Sequence, residues 1–254
     1  MFKLKELNIL ECREELRKLP EGKLLINTIN AHSYNTARKD RLFAEALTNG
    51  DVLIPDGASI VKACRWINAK SQPKERIAGW DLFTFEMERV NNNEKRKTEN
   101  DDGRRKRTVM FMGSSEKVLD LIKERARRDY PTLEIVTFSP PYKPVFSDED
   151  NRMMIEAINS ANPDLLWIGM TAPKQEKWTY EHWKELDIDC HVGTIGAVFD
   201  FYAGTMQRAP IWWQEHSLEW LYRLLKEPKR MWRRYLIGNM LFLWNVFSKE
   251  RGNV

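Results

Sequence analysis

The chain has 254 residues, 42% of them hydrophobic and 11% aromatic, with a formal net charge of +4. That composition suits one large α/β domain, or a domain with an appendage, and excludes global disorder. Cys12, Cys64 and Cys190 are odd in number and far apart, which argues for a reducing compartment and against a disulfide framework or a cysteine-based zinc site. The opening segment MFKLKELNILECREELRKL is charged throughout and does not read as a signal peptide. No apolar run reaches the ~20 residues that span a bilayer; the nearest, residues 235–247, is too short and contains Asn239 and Asn245. A cytosolic protein is expected, with contact to a membrane surface left open.

Six short apolar runs read as buried strands: residues 23–29, 51–55, 108–113, 133–138, 164–170 and 189–193. Amphipathic stretches separate them. After Gly113, helical spacing places Val118, Leu121, Ile122 and Arg125 together, with Ser114 or Ser115 as cap. Ser147 caps an acidic first turn at 148–150, and Pro173 opens KQEKWTYEHWKEL. This alternation predicts a doubly wound, Rossmann-like, mostly parallel sheet. Residues 91–107 contain no apolar side chain and read as a solvated, disordered insertion loop.

Beyond residue 216 the pattern changes, which divides the chain into an α/β domain (1–216) and a helical appendage (217–254). The appendage carries eight Lys/Arg against three Asp/Glu, a net of +5 on a body close to neutral. With Trp212, Trp213, Trp220, Trp232 and Trp244 nearby, it predicts a surface for an anionic partner such as phosphate, lipid headgroup or nucleic acid. The stripe Leu218, Leu221, Tyr222 and Leu225 is expected to pack on the core.

Ligands of open α/β sheets bind beyond the carboxyl ends of the strands. The first predicted strand ends in Thr28-Ile29-Asn30, the second in Pro55-Asp56-Gly57 and the third in Gly113-Ser114-Ser115. Asp56 fits a general base, since a carboxylate in such a turn can be desolvated, and fits equally a plain Pro-Asp-Gly turn. Gly113 opens a helix where free N–H groups can hold phosphate, Gly193 to Gly196 reads as a second glycine turn, and Gln175 with Glu176 lies in a helix's first turn. The Asp148/Asp150 and Asp187/Asp189 pairs match an Asp-x-Asp metal pattern. Helix capping explains the first, and the turn before a strand holds the second. His32, His182, His191 and His216 show no ligand spacing, so no metal site is expected.

The segments LINTINAHSYNTARKD, IPDGASIVKACRW, ERIAGWDLF, IGMTAPKQEKW, VGTIGAVFDFYAGTMQRAP and SLEWLYRLLKEPKRMWRRY resemble, in that order, the WecG/TagA/CpsF glycosyltransferases (glycosyltransferase family 26). The resemblance implies an inverting, metal-independent enzyme without cofactor, peripheral on the inner face of the cell membrane. Such an enzyme moves a sugar from a UDP-sugar to a polyprenyl-diphosphate-linked saccharide in cell-surface polysaccharide synthesis. N-acetylmannosamine, its uronic acid and glucose are within its range of donors. Carried over by motif, Asp56, Thr28 and Asn30 are the catalytic positions. Gly57, Arg76, Gly79, Asp81, Gly113, Gln175, Gly193, Arg223, Arg230 and Arg233 bind substrate. The chain departs from the pattern at 91–107 and at Ala31-His32-Ser33.

The residues support this reading. Guanidinium forks match diphosphate oxygens, and Arg223, Arg230 and Arg233 share one face if the helix is continuous, or sit on two short helices if Pro228 breaks it. No GxGxxG fingerprint supports a nucleotide-dependent oxidoreductase. A basic membrane-surface or RNA-binding module without catalysis leaves the polar strand ends unexplained, so nucleic acid is not expected as a partner. A homo-oligomer is left open.

Overall fold

The computed structural model describes residues 2–98, 106–216 and 218–250, apart from the side chains of 93–98, 230 and 249. Strands β1 (Leu24–Ile29), β2 (Val52–Pro55), β3 (Thr108–Gly113), β4 (Glu134–Phe138), β5 (Leu165–Gly169) and β6 (His191–Thr194) form one parallel sheet in the order β2-β1-β6-β5-β3-β4. Every residue of β2, β3, β5 and β6 is buried, as strands covered on both faces require. The predicted fold class is therefore the observed one. Helices α1 (Ala31–Ala37), α2 (Arg41–Asn49), α3 (Ala58–Trp66), α4 (Gly79–Thr98), α5 (Glu116–Asp129), α6 (Asp148–Ala161), α7 (Lys174–His182) and α8 (Gly196–Ala203) alternate with the strands. The chain continues in α9 (Ile211–Glu215), α10 (Glu219–Lys226), α11 (Pro228–Trp232) and α12 (Gly238–Asn245), with π-helical turns at Arg233–Ile237 and Val246–Glu250.

Several local readings are refined. Ser115, not Ser114, caps α5, accepting from Val118 N at 3.4 Å, and the buried face is Leu119, Ile122 and Ala126. Val118, Leu121 and Arg125 lie at its margin. Residues 91–98 are not loop: α4 runs through Thr98, because Glu, Lys and Arg propagate a helix already begun by buried Leu82, Phe83, Met87 and Val90. Asn91 is itself buried and accepts from Thr132 Oγ1 at 2.5 Å. The remainder of the insertion, 99–105, lies outside the described residues. Asp150 is held as the capping-box partner of Ser147 and by Lys143, which accounts for the first acidic pair.

Internal contacts divide the chain into two units, and β1 contributes to both. The first comprises Met1–Arg17, Thr28–Ala78 and Gln207–Val254. Its core gathers Phe2, Leu4, Tyr34, Phe43, Phe242 and Val246, with the Tyr34 and Phe242 rings edge to face at 5.3 Å. Glu250 is buried and accepts from Leu4 N (2.8 Å), Lys5 N (3.2 Å) and Tyr34 Oη (2.6 Å). Asn35 donates to Gly238 O at 2.7 Å. Helix α12 and the turn after it thus contribute Phe242 and Val246 to this core.

The second unit comprises Lys18–Asn27 and Gly79–Met206. Met110, Leu166, Ile168, Trp178 and Val192 form one apolar cluster, and Phe83, Phe111, Trp167, Phe199 and Tyr202 interlock in a second. His191, at the start of β6, is structural: Nδ1 lies 3.0 Å from Glu86 Oε1 and Nε2 2.9 Å from Pro20 O.

Candidate active site

In the first unit the polar ends of β1 and β2 lie side by side. Asp56 N donates to Ile29 O at 2.9 Å, and a Cβ added at Gly57 would sit 3.3 Å from Asn30 Cβ. Ile77 N donates to Pro55 O at 3.0 Å, which fixes the segment carrying Arg76 beside Asp56. Arg76 Nη2 is 3.9 Å from Asp56 Oδ1 and 2.8 Å from Glu219 Oε2. Asn30 caps α1: its Oδ1 accepts from His32 N (3.0 Å) and Ser33 N (3.1 Å), and Ser33 Oγ accepts from Asn30 N (2.8 Å). Ala31-His32-Ser33 is thereby explained as a capping box, with the His32 side chain exposed. Thr28 is half-buried one residue before β1 ends.

The second unit holds the glycine and glutamine positions. Gly113 has φ +128°, and a Cβ there would meet Gly169 O at 2.3 Å, so no other residue fits. Ser114 N donates to Gly169 O at 2.9 Å, which fastens the turn to β5. Gly193 lies inside β6, not in a turn as expected. The strand runs on to Thr194, and the Trp167 ring, 2.2 Å from an added Cβ, fills the space a side chain would take. Gly79 opens α4 against Ile195, and Asp81 sits half-buried in that helix's first turn.

Gln175 is buried, and its side-chain amide makes three hydrogen bonds within the fold. Oε1 accepts from Met170 N (3.1 Å) and Gly196 N (3.2 Å), and Nε2 donates to Glu176 Oε1 (2.9 Å). It binds the loop after β5 to the loop after β6. Glu176 is 2% exposed, and its Oε2 has no hydrogen-bond partner among the described residues. Burial pushes this carboxyl up to about 7, against the bond from Gln175 that favours its charged form. Its folded value exceeds its unfolded one. Its own contribution to stability is therefore greatest below pH 4.5, falls by about 1.4 kcal/mol per pH unit as pH rises toward 7, and levels off above. Glu176→Gln is expected to stabilise the protein at pH 8 and to change it little at pH 4.5. Thermal melts at the two pH values check this, and equal shifts at both would show Glu176 charged throughout.

The three C-terminal arginines do not share one continuous helix. Arg223 lies on α10, Arg230 on α11 and Arg233 on the following π turn, because Pro228 starts a new helix. Arg223 is half-buried, and Arg233 is exposed beside the Trp232 ring at 5.3 Å. The Arg230 side chain lies outside the described residues. Glu219 and Arg223 are one turn apart on the same face of α10. The stripe expected to pack on the core does not: Leu218, Leu221 and Tyr222 are half-buried and Leu225 is 65% exposed, since α10 buries no residue fully. Ile211, Trp212, Ile237, Met240 and Trp244 are exposed as well. Among the described residues no helix is long and apolar enough to cross a membrane, and no group of His, Cys, Asp or Glu is placed to hold a metal ion.

The profile of the glycosyl transferase WecG/TagA/CpsF family matches residues 2–253. The chain belongs to this family. Among curated proteins it is 31% identical, over 83% of its length and 74% of the relative, to the N-acetylglucosaminyldiphosphoundecaprenol N-acetyl-beta-D-mannosaminyltransferase of Bacillus spizizenii (strain W23). The proteins of that name in Bacillus subtilis (strain 168) and Staphylococcus aureus (strain MW2) are 29% and 23% identical. These alignments cover 84% and 90% of this chain and 75% and 81% of the relatives.

As a WecG/TagA/CpsF member the protein is a glycosyltransferase, which sets aside the non-catalytic module. One residue of this glycosyltransferase escaped sequence reasoning, and another was read only as a first-turn neighbour of Gln175. Glu219 is 143 positions from Arg76 and looked like an ordinary first-turn acid. Glu176 had one signal, its place beside a glutamine in the first turn after a buried strand, and that signal suits a cap equally well.

Proposed function

We propose that this glycosyltransferase moves an N-acetylmannosamine-type sugar from a UDP-sugar to a polyprenyl-diphosphate-linked saccharide, with inversion and without a metal ion. The observation that carries the reading is Asp56, held at the end of β2 beside Arg76 and the polar end of β1. A single carboxylate positioned as base suits a single displacement. Asp56 takes the proton of the acceptor hydroxyl, whose oxygen attacks the anomeric carbon as the bond to the UDP oxygen breaks. Arginines of the C-terminal helices offset the charge that develops on the diphosphate, the role a metal ion has elsewhere. Thr28 and the NH2 of Asn30 position substrate, since the Asn30 oxygen is already used as a cap. The relatives' names support the acceptor and a β-linked product, which inversion gives from an α-linked nucleotide donor.

The exposed aromatic and aliphatic side chains among the C-terminal cations support attachment to the inner membrane surface, where such an acceptor resides. The test is incubation with a panel of UDP-sugars and a short lipid-diphosphate N-acetylglucosamine acceptor, with and without excess EDTA. Release of UDP with UDP-N-acetylmannosamine, unchanged by EDTA, is expected. Loss of turnover in EDTA, restored by Mg²⁺ or Mn²⁺, would overturn the metal-free mechanism. No turnover with any UDP-sugar would overturn the donor class.

A further inference from the structure

We propose that Glu219 is a positioning residue for the reaction: it holds the Arg76 guanidinium and neutralises it, so that Asp56 keeps the basicity that proton abstraction needs. The inference rests on Asp56 being the base. One nitrogen, Arg76 Nη2, faces two carboxylates at unequal distances, 2.8 Å to Glu219 Oε2 and 3.9 Å to Asp56 Oδ1. The shorter contact is a charge-assisted hydrogen bond, and the longer one is attraction without a bond. The three side chains are 23%, 13% and 28% exposed, so water screens these charges only in part.

The backbone decides why this matters. Ile77 N on Pro55 O and Lys74 N on Glu11 O pin the segment that carries Arg76. Arg76 therefore cannot retreat from β2, and which carboxylate holds its guanidinium is settled by the side chains alone. Glu219 draws it to the first turn of α10. Without that acid, Arg76 closes on Asp56 and occupies the oxygen that should receive the proton. With one anion fewer beside it, that cation stabilises the Asp56 carboxylate more strongly and makes it a weaker base. Arg76 faces Asp56 from the segment after α3, and Glu219 faces Arg76 from α10. On α1 the titratable group is His32, pushed down to about 4 by desolvation of its ring and then by the Arg234 charge, and so neutral near pH 7.

The experiment is the pH profile of kcat for the full-length protein and its Glu219→Gln, Glu219→Asp and Arg76→Gln variants, each checked by thermal melting. Glu219→Gln is expected to lower kcat about tenfold near neutral pH and to move the acid limb down by roughly half a unit to one unit. Glu219→Asp keeps the charge and is expected to leave the limb near its wild-type position. Adding Arg76→Gln to Glu219→Gln removes the guanidinium charge and returns the limb upward. A rate loss in Glu219→Gln with the limb unmoved would make Glu219 a mere fastening for α10 and overturn the proposal. If Glu219→Gln does not fold, the double variant is compared with Arg76→Gln alone: with the guanidinium gone the two limbs lie close together if Glu219 acts through Arg76, and a limb that still moves down by the full amount overturns the proposal. The base reading fails separately, through an Asp56→Asn variant that keeps its activity.

Discussion

Asp56→Asn is expected to lower kcat at least ~100-fold while affinity for UDP stays close to that of the wild type. The amide is nearly isosteric, so the hydrogen bond from Asp56 N to Ile29 O and the turn at Gly57 persist. What is lost is the acceptor for one proton, a cost met only in the transition state and therefore seen in kcat. The neutral amide also leaves Arg76 with Glu219 as its anionic partner at 2.8 Å, which tightens an existing pair instead of breaking one. Steady-state turnover and UDP titration on the same preparation check both halves. Activity within a few-fold of wild type would remove Asp56 from the role of base.

Removal of residues 217–254 is expected to abolish turnover and binding to anionic liposomes, and to unfold the first unit as well. The charge argument accounts for the liposomes: each Lys or Arg near an anionic surface contributes about 1 kcal/mol, and this segment has a net of +5. The core argument accounts for the unfolding. Phe242 and Val246 are 0% exposed, and Phe→Ala alone in such a site costs about 3–5 kcal/mol. The cut would also strip Glu250 from two backbone N–H groups and the Tyr34 hydroxyl. Against a total stability of about 5–15 kcal/mol these losses are too large to absorb. Circular dichroism melts of the truncated chain check the point, and a cooperative transition near that of the full chain would show the segment to be dispensable. Membrane attachment alone is better tested by Trp212→Ser, Trp232→Ser and Trp244→Ser together. Those rings are 56%, 41% and 68% exposed, so liposome binding is expected to fall while the fold is kept.

The sheet was legible because buried parallel strands tend to show as short, mainly apolar runs, clearest in β2, β3 and β5 and weakest in β6, where His191, Gly193 and Thr194 interrupt the run. Helix length was less so. The absence of apolar residues after Asn91 says nothing against a helix that Leu82 to Val90 have already nucleated, and α4 continues through Thr98. The strand-end carboxylate Asp56 was visible from its local sequence, with no more than an even weighting against a plain turn until the family motif was added. Its charge environment was hidden, since Arg76 meets Glu219 only through tertiary folding. Glycines misled in a different way. Gly193 looked like a turn, yet its lack of a side chain serves the Trp167 ring on the neighbouring strand. The stripe on α10 was periodic and apolar, but periodicity reports an amphipathic face without saying what covers it.

The shared oxygen of Gln175 has a practical consequence for redesign. Because one acceptor holds Met170 N and Gly196 N together, the loops after β5 and β6 keep a fixed spacing and shift as a pair. A substitution at Gln175 would take the acceptor from both backbone donors at once, so redesign of either loop has to keep this glutamine.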